Sequence, residues 1–327
     1  MKALVMKGPR TSEIVEMDIP KINDDQMLVK LKYTGLCHSD WMAWNVGIPG
    51  SRIGHEPIGV VVEVGKNVTG FKPGDRVTGL GAGYSEYIVM LPRFAVHIPD
   101  SLADEDADGQ PLGCLLSAVS KVPVQVINDP VAVVGAGFMG LGAISLLKMK
   151  GAGPIMAVDT REEMRAMALK MGASEAYAPE DVPAGYKLNW DNYKADHTRS
   201  GKAINIFDVG YASVLEFAGT EPALRLAGEL VTAHGMLGIG GYHDDCDRTI
   251  DFKLWNIKAL TVINCHERRE DYLVHCVKNA IEMLASGMWS YTGVHTNIYA
   301  MDELDKANTE LVTKPQGFIK GLVRCEL

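Results

Sequence analysis

Two short segments carry side chains able to hold a metal: GLCHSD (Gly35 to Asp40) and GHEP (Gly54 to Pro57). Cysteine thiolate and imidazole are natural zinc ligands and a carboxylate can be a third, and a catalytic zinc keeps three protein ligands with one position open. Cys37, His55 and Glu56 fill those three roles if the 17 residues between Cys37 and His55 fold back. Each residue alone also has a plainer reading. A single cysteine is commonly a small core residue, and a single histidine near a loop is commonly polar surface. Spacing leaves both readings open.

A second constellation is Gly135-Ala-Gly137-Phe138-Met139-Gly140, a GxGxxG pattern that is weak by itself. Its context is stronger. An apolar strand, Val131 to Val134, precedes it, a helix-like segment follows, and Asp159 ends the next strand 19 residues beyond Gly140. Gly135 permits a tight turn, Gly137 lets a pyrophosphate approach the backbone, and Gly140 lets the helix pack on the strand. The pyrophosphate then sits on unpaired N–H groups at the positive end of the helix dipole. Asp159 accepts hydrogen bonds from an adenosine ribose and repels a 2′-phosphate, which favours NAD over NADP. Arg161, two residues on, works against that preference.

The elements that must position these residues change texture near Leu112. Before it the chain reads as short strands and turns: Met27 to Tyr33, Val60 to Val64, a strand from Arg76, and Tyr84 to Met90. This is an irregular β-rich domain with the look of a small barrel. After it strands and helices alternate: LGCLLSAVSKV as helix, Val131 to Val134 as strand, LGAISLLKMKG as helix, IMAVD as strand and REEMRAMALKMGA as helix. SVLEFAG then reads as strand, EPALRLAGELVTA as helix and MLGIGG, with Gly240 in its closing glycine pair, as strand. That rhythm predicts an α/β domain with a doubly wound parallel sheet. Asp181 to Gly201 reads as a polar loop, Asp271 to Gly287 as a long helix, and the tail as segments that rejoin the first domain. The expected division is residues 1–112, completed by 266–327, around a dinucleotide-binding domain of 113–265.

Composition narrows the function class. The 327 residues suffice for two domains with their own cores. A net charge of -9 argues against nucleic acid as a partner. The six cysteines (37, 114, 246, 265, 276 and 325) form no CxxC pair, which suits a reducing compartment. The start MKALVMKGPR lacks the apolar core of a signal peptide, and no run approaches the roughly 20 apolar residues of a membrane span. The expected location is the cytoplasm.

GLCHSD followed by GHEPIGVVVEVGKNV resembles the zinc signature of the medium-chain dehydrogenase/reductase superfamily, in its alcohol and polyol (sorbitol, threonine) dehydrogenase branch. Gly59, Gly65 and Val68 stand at the signature's offsets. FKPGDRV (Phe71 to Val77), the glycine motif with Asp159, and IKGLV from Ile319 extend the likeness over most of the chain. The resemblance implies a GroES-like catalytic domain formed by both chain ends, a Rossmann domain, and an active site in the cleft between them. It implies Cys37 and His55 as zinc ligands, with Glu56 as a ligand or close neighbour. Ser39 would touch the substrate oxygen and begin a proton relay, His38 would lie near the cofactor, and Asp40 would orient the ligands. Phe138, Met139 and Gly240 join the glycines and Asp159 as candidate cofactor contacts. Relatives are commonly homodimers or homotetramers.

This chain departs from that pattern in three places, one of them the unassigned stretch IFDVGYA (Ile206 to Ala212) before SVLEFAG. The lobe with four closely spaced cysteines is missing after Val77, so one catalytic zinc and no structural zinc is expected. Gln110-Pro-Leu stands where the polyol branch often has a glutamate before Pro-Leu, and Asp108 and Cys114 lie nearby. Glu56 is therefore the preferred third ligand. The expected reaction is zinc-assisted hydride transfer between NAD and a secondary alcohol or ketone, leaning towards polyols, sugars or cyclitols. The alternatives are a zinc-free quinone or enone reductase of the same fold and a non-catalytic NAD sensor. His97, His197, His243 and His275 read as surface, and His295 as a candidate site neighbour. Trp41 and Trp44 read equally well as pocket wall or packing.

Overall fold

The first hundred residues form seven strands: β1 (Lys2–Gly8), β2 (Thr11–Glu16), β3 (Met27–Gly35), β4 (Glu56–Val64), β5 (Arg76–Gly79), β6 (Tyr87–Met90) and β7 (Ala95–His97). β3 and β4 are the long antiparallel pair, and their register sets Gly35 opposite Glu56. The short helix α1 (Trp41–Val46) lies between them in sequence. These elements come from a computed structural model, which describes residues 1–122, 124, 126–189, 193 and 209–326. The strand read at Tyr84 is shorter than expected: Tyr84 is a buried core residue, Ser85 makes an isolated bridge to Ala3, and the continuous strand is Tyr87–Met90.

After α2 (Gly109–Lys121) the βα alternation sets in: β8 (Val131–Val134), α3 (Phe138–Met149), β9 (Ile155–Val158), α4 (Glu162–Lys170), β10 (Glu175–Tyr177), β11 (Tyr211–Glu216), α5 (Glu221–Leu230), β12 (Val231–Ile239), α6 (Phe252–Ile257) and β13 (Thr261–Asn264). All five strand pairings are parallel, in the order β10-β9-β8-β11-β12-β13. That order reverses direction between β8 and β11, which is the switch point of a doubly wound sheet. Val131, Ala132, Val133, Val214, Leu215 and Leu237 are fully buried, as strands covered on both faces require. Each large apolar side chain buried this way contributes about 1.5–3 kcal/mol.

One element boundary differs from the sequence reading. The helix expected through Ala233 stops at Leu230, and Val231 is already extended at φ -70° and ψ 131°. The β-branched pair Val231-Thr232 favours strand, and Val231 pairs with Tyr211. The polar loop expected at Asp181 to Gly201 lies mostly outside the described residues. Its described start makes tight turns at Pro179–Asp181 and Ala184–Tyr186.

The buried Lys258, just after α6, ties the α5–β12 junction together. Its Nζ donates to the carbonyls of Gly228 (3.1 Å), Glu229 (2.8 Å) and Val231 (2.8 Å). These are carbonyls at a helix end, where the dipole favours a cation. Lys258→Met should therefore lower the unfolding free energy by about 2–3 kcal/mol, read as a shift in the denaturation midpoint. A midpoint equal to wild type would show that solvent satisfies these carbonyls.

The chain then adds α7 (Glu270–Ala285), β14 (His295–Ala300), α8 (Leu304–Thr313) and β15 (Lys320–Arg324). β15 pairs antiparallel with β3, setting Leu322 opposite Gly35. The resulting sheet runs β14-β15-β3-β4-β5-β7, with β6 on β3, and its order does not close into a barrel among the described residues. The chain divides into two compact units, residues 1–114 with 267–327 and residues 115–266. In the first unit, Arg76 donates to the carbonyls of Pro99 and Leu102 and to Asp104, which Lys32 also meets at 2.8 Å. Those bonds pin the segment that leads to Asp108.

Candidate functional site

The β3–β4 register explains how two distant sequence segments meet. With Gly35 opposite Glu56, Cys37 lies two residues past the end of one strand and His55 one residue before the start of the other. Gly54 makes the approach possible. Its φ is +100°, and a Cβ there would lie 2.8 Å from the ring of the buried Tyr84. The ligand atoms of Cys37, His55 and Glu56 all fall within 4.8 Å of one another.

Neighbouring groups orient this cluster. His55 Nδ1 lies 3.0 Å from Asp40 Oδ1, which fixes the ring and leaves Nε2 directed to the cluster. Ser39 Oγ is 3.2 Å from Cys37 Sγ and 3.4 Å from His55 Nε2. Burial alone would pull the His55 pKa down, but the Asp40 carboxylate and Cys37 outweigh it and raise it to about 12. A metal must displace that proton to bind. Glu56 is fully buried; its Oε2 contacts Lys320 Nζ and its Oε1 has no hydrogen-bond partner among the described residues. Burial raises its carboxyl pKa against the pull of Lys320. A thiol, an oriented imidazole and a buried carboxylate oxygen with no partner suit a divalent metal of the zinc type.

Of the surroundings, the sequence pointed to Asp108, Gln110, Cys114 and His295 as neighbours, and Lys320 was passed over. Lys320 Nζ also donates to Leu36 O (3.0 Å) and stands 3.7 Å from Asp108 Oδ2. Asp108 is completely buried, with both carboxylate oxygens unpartnered among the described residues. His295 Nδ1 donates to Glu105 O at 2.9 Å, and its Nε2 is 3.6 Å from Asp108 Oδ2. Burial, with Cys37 and Glu56 adding, pushes the Cys114 thiol up to about 12. Gln110 is buried in the first turn of α2. The available signal was a lysine inside the apolar run Phe318 to Val323, because a buried charge demands a partner.

The glycine loop sits in the second unit at the carboxyl end of β8. Gly135 has φ +91°, and a Cβ on Gly140 would lie 1.8 Å from Gly135 O. Gly137 caps α3, and among the described residues only Arg161 Nη2, at 4.0 Å, comes near its missing Cβ. Phe138 and Met139 open the helix, partly exposed. Asp159 Oδ2 accepts from Ala136 N (2.8 Å) and Oδ1 from Arg161 N (2.9 Å), so the acidic residue also ties the loop to the end of β9. Gly240, just past β12, donates to Glu216 O (2.8 Å), and a Cβ there would strike Phe217 at 2.3 Å.

Residues 23–100 match the alcohol dehydrogenase GroES-like domain and residues 139–286 the zinc-binding dehydrogenase domain. L-threonine 3-dehydrogenase of Caldanaerobacter subterraneus subsp. tengcongensis is 30% identical over 295 residues, covering 76% of this chain and 80% of that one. The chain belongs to the zinc-type, medium-chain alcohol dehydrogenase family. As a member of this dehydrogenase family it is an oxidoreductase acting on CH–OH groups. Sorbitol dehydrogenase of Bacillus subtilis is 26% identical over 345 residues, covering 94% of this chain and 95% of that protein. An alcohol dehydrogenase of Escherichia coli CFT073, solved in complex with NADH, shares the dehydrogenase fold at TM-score 0.81 and 21% identity, covering 99% of each chain.

Several sequence readings are revised within this dehydrogenase. Trp44 is a core residue, 4% exposed, with its Nε1 donating to Asp305 Oδ1 at 2.9 Å. Trp41 is partly exposed and stacks on His38 at 6.3 Å between ring centroids. His243 is not a surface group: it pairs with the buried Glu216 at 2.9 Å, and Arg248 Nε donates to its Nδ1 at 3.0 Å. His97 and His275 are exposed. His197 lies outside the described residues.

Proposed function

We propose that this dehydrogenase transfers a hydride between NAD and a secondary alcohol or its ketone, with polyols, sugars or cyclitols as the substrate class. The observation that carries the reading is the Cys37–His55–Glu56 cluster with His55 oriented by Asp40. These three residues would hold one zinc ion. A zinc ion bound there supplies Lewis-acid polarisation of a hydroxyl or carbonyl oxygen. Asp40 holds the imidazole ring in place. Ser39, the hydroxyl beside Cys37 and His55, takes the substrate proton and passes it outward. His38 lies on the same tight turn as Ser39, His38–Asp40, and is the cofactor contact we assign to this unit.

The unit of residues 115–266 would bind the cofactor. Gly135, Gly137 and Gly140 shape the loop, Phe138 and Met139 start the helix whose N-terminus would receive a pyrophosphate, and Gly240 lies just past β12. The Asp159 carboxylate next to the loop favours NAD over NADP, and the NADH-bound relative supports the nicotinamide class. Sorbitol and threonine dehydrogenases, named for substrates with secondary hydroxyls, support the substrate class. An edge strand with Val262 exposed suits assembly into a dimer or tetramer, and six free cysteines suit the cytoplasm. No helix among the described residues is long and apolar enough to cross a membrane.

The test is zinc per subunit by elemental analysis, on protein purified without chelators or a metal-binding tag, followed by an alcohol panel with NAD. About one zinc per chain is expected. Protein that carries none and takes up none would move the assignment to a zinc-free reductase or an NAD-binding sensor.

A further inference from the structure

The charges buried behind the metal cluster do not balance once Glu56 serves a metal. Glu56 Oε2 and Lys320 Nζ are in contact as a buried ion pair. A divalent ion would draw on the charges of the Cys37 thiolate and the Glu56 carboxylate. Lys320, only 4% exposed at its side chain, is a buried cation that a further carboxylate would then stabilise. Asp108 is such a carboxylate, with Oδ2 at 3.7 Å from its Nζ.

Asp108 is built into that position at some cost. It is completely buried and neither oxygen has a hydrogen-bond partner among the described residues, an arrangement that a folded protein rarely keeps without a reason. Gly35 makes room for it. A Cβ at residue 35 would lie 2.0 Å from Glu56 Oε2 and 2.7 Å from Asp108 Oδ2, so both carboxylates press on the same gap in β3. Beside it lie His295, stacked on Tyr291 at 3.8 Å between ring centroids, and the Tyr291 hydroxyl, which donates to Asp108 O at 2.5 Å. They hold the segment in place and bring no second carboxylate.

We infer that Asp108 is a positioning residue of the metal centre, acting through Lys320: it supplies the counter-charge that frees the Glu56 carboxylate to serve the metal. This rests on the metal reading of Cys37, His55 and Glu56. The test uses the full-length protein, stripped of metal and titrated with zinc against a chromophoric chelator. Asp108→Asn, Lys320→Met and the double variant are compared with wild type, and circular dichroism monitors folding.

Asp108→Asn should weaken zinc binding about tenfold or more. In the Lys320→Met background there is no cation to match, so the same change should be neutral or should tighten binding. A merely structural role would weaken binding in both backgrounds, because the cycle isolates the pairwise dependence. Equal weakening in both backgrounds, or zinc binding by Asp108→Asn within twofold of wild type, overturns the inference. Should Asp108→Asn fail to fold, the double variant decides: recovered folding and zinc binding support the inference, and continued failure overturns it. Wild-type protein that binds no zinc would sink the metal reading and this inference with it, an outcome distinct from a failed cycle on a zinc-binding wild type.

Discussion

Replacing Cys37 with alanine is expected to lower kcat/KM for alcohol oxidation by about four orders of magnitude. Cys37 is one of three groups whose ligand atoms gather within 4.8 Å, and a catalytic zinc site with three protein ligands has none to spare. Loss of a metal's charge stabilisation is worth several kcal/mol, and about 5.5 kcal/mol corresponds to a factor near 10⁴ in rate. The change should leave the dinucleotide unit alone. Cys37 belongs to the unit of residues 1–114 and 267–327, whereas the glycine loop lies in residues 115–266. NADH binding, followed by fluorescence, should therefore stay within about twofold of wild type, while bound zinc falls to a small fraction of the wild-type content. A variant that loses its zinc yet turns over at the wild-type rate would exclude the zinc mechanism. One that keeps its zinc would show that Cys37 is not a ligand. Loss of activity together with NADH binding would point to misfolding, which Cys37→Ser would test with a side chain of nearly the same size.

Much of this could be read from sequence because the relevant residues sit in short local patterns. Val131 to Val134 followed by three glycines announces a buried strand and a tight turn, and β8 and α3 form there. Cys37, His55 and Glu56 stand close to strand ends, so one antiparallel register brings them together. Asp108 and Lys320 left no such pattern. They are 212 positions apart in sequence and meet because β15 pairs with β3, a long-range choice that no local window encodes. Trp44 shows the same limit: its partner Asp305 lies on α8, 261 residues away. Its place beside the ligand segment was compatible with pocket and core alike until that contact was known. His243 read as surface because its neighbours Asp244, Asp245 and Asp247 are polar, yet its ring turns inward to Glu216. The end of α5 was misplaced for a different reason. Leucine and alanine spacing continued past Leu230, and the pairing of Val231 with Tyr211 overrode helical periodicity.

The glycine loop allows a sharper separation of fold from binding, because two of its glycines face different neighbours. At Gly140 a Cβ would lie 1.8 Å from Gly135 O and 2.8 Å from Gly135 C. Both are backbone atoms, so the start of α3 would have to move away from the turn after β8. Gly140→Ala should lower stability and NADH affinity together. Gly137 is different. Its backbone, at φ -67° and ψ -170°, accepts alanine, and among the described residues the only heavy atom near the missing Cβ is Arg161 Nη2 at 4.0 Å. By fold alone, Gly137→Ala should be neutral or stabilising by about 0.4–1 kcal/mol, through the reduced freedom of the unfolded chain. If a pyrophosphate approaches the backbone at Gly137, however, the added methyl occupies the space of that contact. NADH binding should then weaken by about 2.7 kcal/mol, roughly 100-fold, with denaturation midpoint and zinc content unchanged. The comparison is decisive because the two variants differ by one position and add the same methyl group. Wild-type NADH affinity in Gly137→Ala would show that the open face beside Arg161 is not where the pyrophosphate sits. Equal loss of stability in both would mean that the loop is held by packing at Gly137 as well.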